Sequence, residues 1–244
     1  MLVLGARDTL DALTGRLRFA PSTEMAPLPC IVITNCGFGT PVTPVFSLPL
    51  LLFVKHCRGI VVVMARQAKG EHGFSAKNKY KSGDDDKDHK SDFSVESAED
   101  LRIVLKHLVR RKFTSPQKIA LFGGSHGGLA IGLSITKHPD LFGAAVVNNG
   151  LFDLLRYHLF NPPGVGAQGS PGPHASAAHY WRNSLWCEEY GCAEESPEDL
   201  IKMKSFSPLH NVGNLKNLKS FPHILLNTGN YSCKFTLLFL TKLS

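Results

Sequence analysis

A serine flanked by glycines stands in the segment Leu121–Gly128, which reads Leu-Phe-Gly-Gly-Ser-His-Gly-Gly. The spacing Gly123-x-Ser125-x-Gly127 is typical of a sharp strand-to-helix turn that exposes a serine hydroxyl for nucleophilic attack. Glycines suit such a turn because bulkier side chains would clash in it. Glycine-rich turns with a serine are common, so the elements before and after this turn decide whether the chemistry is supported.

Apolar runs of strand length lie on both sides of the serine. The run Ile60–Ala65 is uniformly apolar, which suits a strand in a parallel sheet that is covered on both faces. Further strands are predicted at Cys30–Thr34, Lys118–Phe122, Gly143–Asn148 and His223–Thr228. The strand Lys118–Phe122 is followed by two glycines and then by Ser125.

Helical patterns alternate with these strands. Residues 98–112 form an amphipathic pattern with apolar side chains at Leu101, Leu105, Leu108 and Val109. A second pattern covers Leu129–Lys137 and is ended by Pro139. The alternation predicts an α/β fold with a mainly parallel sheet flanked by helices. It also places Ser125 between a strand and a helix, where an exposed nucleophile needs its turn to be.

The bulk composition supports one globular domain and excludes some partners. The 244 residues are 43% hydrophobic, which is enough to fill a core. The net charge of +7 comes from Lys and Arg residues that are scattered rather than gathered in a stripe, so no nucleic-acid partner is predicted. The most apolar stretch, 44–54, is about half the length of a membrane span, so no membrane partner is predicted either.

The cysteine pattern predicts reduced thiols in a cytoplasmic protein. None of the 6 cysteines forms a Cys-x-x-Cys pair, and no Cys/His spacing suggests zinc. A disulfide framework is the less favoured alternative. We expect no metal and no cofactor.

More motifs flank the turn on both sides. They are Thr114–Pro116, Gly123–Leu129, Pro139–Gly143, Trp186–Cys192 and Ser207–Val212. In their order and distances they resemble the catalytic domain of the prolyl oligopeptidase family, over about residues 29–230. The resemblance implies an α/β-hydrolase fold and a serine-type endopeptidase that cleaves short peptides after proline.

The resemblance also implies roles for particular residues. Ser125 matches the nucleophile, and the backbone N–H of His126 matches a donor to the oxyanion that forms on the substrate carbonyl. Trp186 matches a tryptophan that stacks on the substrate proline. Phe38 matches an aromatic residue of the same pocket, and Tyr190 belongs to the same motif as Trp186 and is expected to bind substrate with it.

Other positions depart from the family pattern. Asn35 stands where a tyrosine supplies the second oxyanion donor, and its amide is a candidate replacement. Ser232 stands at the place of the triad aspartate and Lys234 at that of a substrate-binding arginine, and neither is equivalent. No histidine follows His223, although the family order is serine, acid, histidine. We therefore expect a C-terminally truncated domain with little activity.

These departures shape the predicted organisation. Residues 1–28 are interpreted as an N-terminal connector, 29–234 as the truncated peptidase domain and 235–244 as a divergent tail. The sheet is expected to have an unpaired edge after residue 228, through which the chain would associate with a partner.

Two alternatives to the peptidase stay open. A non-catalytic protein would keep the proline pocket and bind peptides without turnover. An esterase-like serine hydrolase would recruit an unusual base and turn over simple esters but no prolyl peptide.

Overall fold

A six-stranded sheet forms the centre of the molecule. The computed structural model describes residues 2–5, 9–10, 17–18, 26–34, 46–64, 92–157, 190–191, 193–194, 196–215 and 221–228. The strands of the sheet are β1 (Leu2–Gly5), β4 (Cys30–Thr34), β5 (Ile60–Met64), β6 (Ile119–Gly124), β7 (Ala144–Asn148) and β8 (His223–Asn227). Their spatial order is β1-β5-β4-β6-β7-β8. Strands β4 to β8 are parallel, and β1 pairs antiparallel with β5.

Helices and turns lie between these strands in the sequence. The helices of the described residues are α1 (Leu48–Cys57), α2 (Asp92–Arg110), α3 (Ser125–Lys137), α4 (Pro197–Phe206) and α5 (Pro208–Asn211). Single turns of 3-10 helix cover Pro116–Lys118, Pro139–Leu141 and Val212–Leu215. A separate antiparallel pair joins β2 (Thr9–Leu10) to β3 (Leu17–Arg18). The Ser196 hydroxyl caps α4 by accepting a hydrogen bond from the Asp199 N–H at 3.2 Å.

One face of the sheet, the core face, packs against α2, α3 and α5. Alternate strand residues such as Val32, Val62 and Leu121 point to this face and are fully buried. Helix α2 contributes Leu101, Leu105 and Leu108, and helix α3 contributes Ile131 and Ile135. The helices cover the strands because their apolar stripes lose contact with water only against this face.

The opposite face, the α1 face, carries the other set of alternate strand residues. The connection from β4 to β5 runs along the sheet in the direction opposite to those from β5 to β6 and from β6 to β7. Since such crossovers are right-handed, α1 lies on the face opposite to α2 and α3. No residue of α1 belongs to the described core that those helices share with the sheet.

The main predicted elements are confirmed. All five predicted strands are present, and helix α2 buries Leu101, Leu105 and Leu108 as expected. Helix α3 extends the predicted Leu129–Lys137 helix back to Ser125, so it begins at the serine itself. No helix among the described residues is long and apolar enough to cross a membrane.

The sequence reading missed two elements. Strand β1 lies within residues 1–28, which were interpreted as a connector, and it extends the sheet by pairing Leu2 with Val63. Helix α1 lies in the apolar stretch around 44–54, for which no helix was predicted. The predicted tail at 235–244 lies outside the described residues.

Candidate active site

Ser125 occupies the junction between β6 and α3. Its side chain is exposed, and its backbone φ is +49°, in the left-handed region. For a residue with a side chain, this conformation costs on the order of 1–2 kcal/mol. The strain turns the chain sharply at the carboxyl end of the sheet and leaves the hydroxyl accessible. This is the geometry that the Gly-x-Ser-x-Gly spacing predicted.

Two glycines of the turn permit close approach of backbone from neighbouring elements. A Cβ atom at Gly123 would lie 2.5 Å from the carbonyl oxygen of Thr34 on β4. A Cβ atom at Gly128 would lie 2.7 Å from the Cα atom of Gly150, which follows β7. Both distances are shorter than real Cβ contacts, so a side chain at Gly123 would force β6 away from β4, and one at Gly128 would displace α3 from the loop after β7.

Helix α3 also gives the turn its electrostatic character. The helix has 13 residues, and its N-terminus lies at Ser125. Aligned peptide dipoles concentrate partial positive charge at such an end, which favours negative charge beside it. The backbone N–H of His126 belongs to this first turn, where an oxyanion on a substrate carbonyl would be stabilised.

The His126 side chain lies in the protein interior and not beside the exposed serine hydroxyl. It is 4% exposed, and its Nδ1 lies 2.6 Å from the hydroxyl oxygen of Tyr190. The two rings are stacked, with centroids 5.8 Å apart and planes inclined by 19°. Burial lowers the pKa of His126 to about 4. The ring is therefore neutral at physiological pH.

Tyr190 is buried beneath the turn. The ring is 1% exposed and packs with apolar side chains of α3, including Leu129 and Leu133. Tyr157 meets it edge to face at 6.2 Å and donates a hydrogen bond to the carbonyl oxygen of Gly191 at 3.1 Å. The structure thus brings two of the predicted site residues, His126 and Tyr190, into direct contact.

The other predicted residues of the site lie outside the described part of the chain. These are Asn35, Phe38, Trp186, Ser232 and Lys234. The second oxyanion donor, the aromatic pocket and the two substituted positions of the triad region therefore stay predictions.

A buried carboxylate near the same edge of the sheet was missed in the sequence. Asp153 follows β7 and is fully buried, and its Oδ2 accepts a hydrogen bond from Arg156 Nε at 2.7 Å. Arg156 Nη2 lies 2.5 Å from the same oxygen. The Asp153–Arg156 spacing of three residues is the only signal for this pair in the sequence, and such spacings are frequent.

The Ser207–Val212 motif has a structural role. The Ser207 hydroxyl is fully buried, donates to the carbonyl oxygen of Phe152 and accepts from the N–H of Leu154, both at 3.2 Å. It lies 2.9 Å from His210 Nδ1, and the Asn211 amide donates to the Ser207 carbonyl at 2.8 Å. These bonds attach α5 to the loop that follows β7, beside the nucleophile turn.

Other reactive groups of the described residues do not form a second site. Burial raises the pKa of the Cys30 thiol to about 12, so that thiol is unreactive. Within the segments that the structure describes, no group of three or more His, Cys, Asp or Glu side chains could hold a metal ion.

A parallel sheet between helices, with a strained and exposed serine where the central strand meets its helix, defines an α/β-hydrolase domain. Within that class, residues 58–231 match the prolyl oligopeptidase family. This match covers more than half of the sequence, and the chain belongs to that family of serine peptidases.

Individual relatives agree with this assignment. The prolyl endopeptidase of Dictyostelium discoideum is 30% identical over 201 residues, which are 80% of this chain and 21% of the relative. The dual function macrocyclase-peptidase POPB of Galerina marginata is 31% identical over 177 residues, covering 72% of this chain and 20% of the relative. The chain therefore spans about a fifth of the length of these curated relatives.

A solved structure shows the same arrangement. Prolyl oligopeptidase B of Galerina marginata, bound to a 35mer hydrolysis and macrocyclization substrate, superposes with a TM-score of 0.67 at 26% identity. The superposition covers 89% of this chain and 27% of that one. The likeness therefore extends well beyond the segment around the turn.

Proposed function

We propose that Ser125 is the nucleophile of a serine-type endopeptidase site that cleaves short peptides after proline. The exposed hydroxyl of Ser125 at a φ of +49° carries this proposal. A residue that served packing alone would gain stability by giving up the side chain in this conformation. The names of the relatives from Dictyostelium discoideum and Elizabethkingia meningoseptica, both prolyl endopeptidases, support the choice of substrate.

The oxyanion would be held by the backbone N–H of His126, with the Asn35 amide as second donor. The proposal for His126 is supported by its place in the first turn of α3, where the helix dipole favours negative charge. The donors matter because they stabilise the charge that develops when the serine oxygen attacks the carbonyl carbon.

The proline ring would lie between Trp186 and Phe38. A flat apolar pocket suits this ring, because the nitrogen of a prolyl residue has no hydrogen to donate. We assign Tyr190 to the floor of this pocket. Its ring is 1% exposed and its hydroxyl is bonded to His126, so Tyr190 would support the pocket from beneath rather than touch the substrate.

The strength of the activity depends on the base that takes the proton from Ser125. Position 232, which the resemblance aligns with the triad acid, is serine, and His126 is buried against Tyr190. Loss of the base from a serine peptidase costs about a million-fold in turnover. These observations favour a second candidate function, binding of proline-containing peptides without turnover.

Two further expectations belong to the proposal. A cytoplasmic location is supported by the cysteine pattern alone. Association through a sheet edge would involve β8, which lies at one end of the described sheet.

Labelling with a fluorophosphonate probe tests the proposed nucleophile. Such probes react with activated serines, so we expect the purified chain to be labelled and the Ser125→Ala variant to stay unlabelled. Ser205→Ala is the matched control, because Ser205 is an exposed serine on α4 with no proposed role. Labelling that persists in Ser125→Ala would exclude Ser125 as the reactive residue.

Binding of a short prolyl peptide, measured by fluorescence polarisation, separates the two candidates. Binding together with Ser125 labelling supports the peptidase. Binding by a folded chain that is not labelled supports the non-catalytic alternative. A chain that hydrolyses a simple ester and binds no prolyl peptide would contradict the proposed substrate.

A further inference from the structure

Asn149 is the lateral neighbour of Ser125 at the carboxyl edge of the sheet. Strands β6 and β7 are parallel, and Gly124 at the end of β6 pairs with Asn148 at the end of β7. The residue that follows each of these is Ser125 in one case and Asn149 in the other. Because neighbouring strands lie about 4.8 Å apart, the two residues leave the sheet side by side. Both side chains are exposed.

The two residues also share a backbone conformation. Each has a φ of +49°, in the left-handed region. The other described residues with a side chain and a positive φ are Arg58 and Lys112, which lie just after helices α1 and α2. At the end of a helix this conformation is an ordinary way to stop the helix. Ser125 and Asn149 follow strands, so this explanation does not apply to them.

Both neighbouring strands hold the end of β7 in place. The N–H of Asn149 donates to the carbonyl oxygen of Asn227 on β8 at 2.8 Å, and the Asn227 side-chain amide donates to Asn148 Oδ1 at 2.8 Å. On the other side, a Cβ atom at Gly124 would lie 2.9 Å from the carbonyl oxygen of Asn148. Strained residues that their surroundings hold in this way are concentrated at functional sites.

The residue type at position 149 points to a ligand. Glycine would meet the needs of the turn alone, because it adopts a φ of +49° without strain. Asparagine tolerates the left-handed region better than most residues with a side chain. Its carboxamide brings two donor hydrogens and an acceptor oxygen to the edge of the sheet. Asn149 therefore places hydrogen-bonding groups beside the nucleophile at a small cost in backbone energy.

The two sides of β6 have different roles in the proposed mechanism. Asn35, the proposed second oxyanion donor, follows β4 in the sequence, and β4 flanks β6 on the side away from β7. Position 232, which the resemblance aligns with the triad acid, follows β8, which lies beyond β7. A base oriented from that side takes the proton of the serine and then gives it to the leaving nitrogen. The leaving half of a peptide would therefore lie on the β7 side of Ser125.

We propose that Asn149 binds the leaving half of the substrate, with Nδ2 of its side chain donating a hydrogen bond to the first backbone carbonyl after the scissile bond. This assignment rests on the proposed binding of prolyl peptides at Ser125. The scissile nitrogen has to accept the proton from the base, so this carbonyl is the nearest backbone acceptor of the leaving half that takes no part in the proton transfer. The contact favours peptides that continue beyond the proline, whereas a simple ester offers no such carbonyl.

Peptide binding in a Ser125→Ala background, measured by fluorescence polarisation, tests the contact without turnover. One peptide ends at the proline as its carboxamide, and a longer one continues past it. We expect Asn149→Gly to weaken binding of the longer peptide about fivefold and to leave that of the shorter one unchanged. Glycine keeps the turn without strain, so this variant should fold. Asn149→Asp, which keeps the acceptors and lacks the donors, should weaken the longer peptide at least as much.

Lys112→Gly is the matched control for removal of a side chain at positive φ. Lys112 is exposed, has a φ of +58° and precedes β6, so it lies at the amino edge of the sheet, away from Ser125. This variant should bind both peptides as the Ser125→Ala background does. Weaker binding of the longer peptide by Lys112→Gly as well would mean that the effect does not come from position 149.

A change in the peptide tests the same hydrogen bond from its other side. In a third peptide, an alkene replaces the peptide bond after the scissile one and removes its carbonyl without adding charge. It should bind about fivefold more weakly than its parent to the Ser125→Ala chain, and as tightly as its parent to the chain that also carries Asn149→Gly. The comparison with unaltered Asn149 decides even if the variants fail to fold, because equal affinities there would overturn the contact.

The results also separate this contact from the proposed function. If a folded Ser125→Ala chain binds neither the shorter nor the longer peptide, the proposed substrate is wrong and the role of Asn149 is overturned with it. If both peptides bind, and Asn149→Gly weakens neither of them or both alike, only the role of Asn149 is overturned. Full affinity of Asn149→Asp for the longer peptide would likewise exclude Asn149 as the donor.

Discussion

The Nδ1 atom of His126 lies 2.6 Å from the hydroxyl oxygen of Tyr190, and both side chains are buried. The bond joins residues that are 64 positions apart. It attaches the nucleophile turn to the segment Tyr190–Gly191. Tyr157 holds the same segment, because its ring packs against Tyr190 and its hydroxyl donates to the Gly191 carbonyl. The position of the His126 backbone N–H therefore depends on a distant aromatic cluster.

Removing the Tyr190 hydroxyl should destabilise the fold. In Tyr190→Phe the buried Nδ1 loses its hydrogen bond, so we expect a loss of about 1–3 kcal/mol in the free energy of unfolding, measured in urea. Tyr157→Phe is the matched control for loss of a tyrosine hydroxyl that bonds to a backbone carbonyl instead. Equal stability of Tyr190→Phe and wild type would contradict the importance of this bond.

Acid should weaken the fold through His126. Its folded-state pKa of about 4 lies below the ordinary value of 6.5, so the unfolded chain binds the extra proton first as the pH falls. The stability that depends on the neutral ring is complete above pH 6.5 and is lost progressively between pH 6.5 and 4. The lowered pKa of His126 corresponds to a loss of about 3 kcal/mol in the free energy of unfolding.

Comparison with His126→Asn isolates this effect. The asparagine oxygen can accept the Tyr190 hydrogen bond but does not titrate in this range. The difference in unfolding free energy between wild type and variant should change by about 3 kcal/mol as the pH falls from 6.5 to 4. Parallel stability curves for the two proteins between pH 7 and 4 would show that His126 does not carry the acid sensitivity.

The backbone strain at Ser125 should be measurable as a difference in stability between variants of this residue. Glycine adopts a φ of +49° without a clash, so Ser125→Gly should be more stable than Ser125→Ala by about 1 kcal/mol. At Ser205, a helical residue in the last turn of α4, the order should reverse, because glycine in a helix is less stable than alanine by about 0.5–1 kcal/mol. Thermal unfolding of the four variants compares the two sites. The same order at both positions would argue against strain at the turn.

The Asp153–Arg156 pair predicts that substitution of the half-exposed Arg156 strongly lowers the free energy of unfolding. Arg156→Ala removes the partner of a fully buried carboxylate, so we expect a loss of about 3 kcal/mol in unfolding free energy. Arg156→Lys keeps the charge but not the two-nitrogen contact and should lose less. A loss below about 0.5 kcal/mol in Arg156→Ala would place this pair among ordinary surface ion pairs.

The sheet and the serine turn were predictable because their signals are local. Strands such as Ile60–Met64 are uniformly apolar when both faces of a parallel sheet are covered. The glycines around Ser125 are required by the turn itself, so its place between strand and helix followed from the sequence.

Features that arise from tertiary contact were not predictable. The bond between His126 and Tyr190 joins distant segments, and nothing in either residue type specifies the other as partner. Strand β1 is only 4 residues long and is defined by its pairing with β5. The exposed side of α1 is as apolar as the side of a buried helix. The sequence therefore could not show whether this side is buried or exposed.

The close approach of Gly128 to Gly150 implies that the glycines and the serine of the turn are under different selection: the glycines for folding, and the serine for any chemistry. A side chain at Gly128 would displace α3 from the loop after β7, so mutations there are removed by the need to fold, whether or not a peptide is ever cleaved. The same need does not protect Ser125, whose exposed side chain costs backbone energy. In a lineage that had lost its chemistry, we would therefore expect the glycines to persist and the serine to drift.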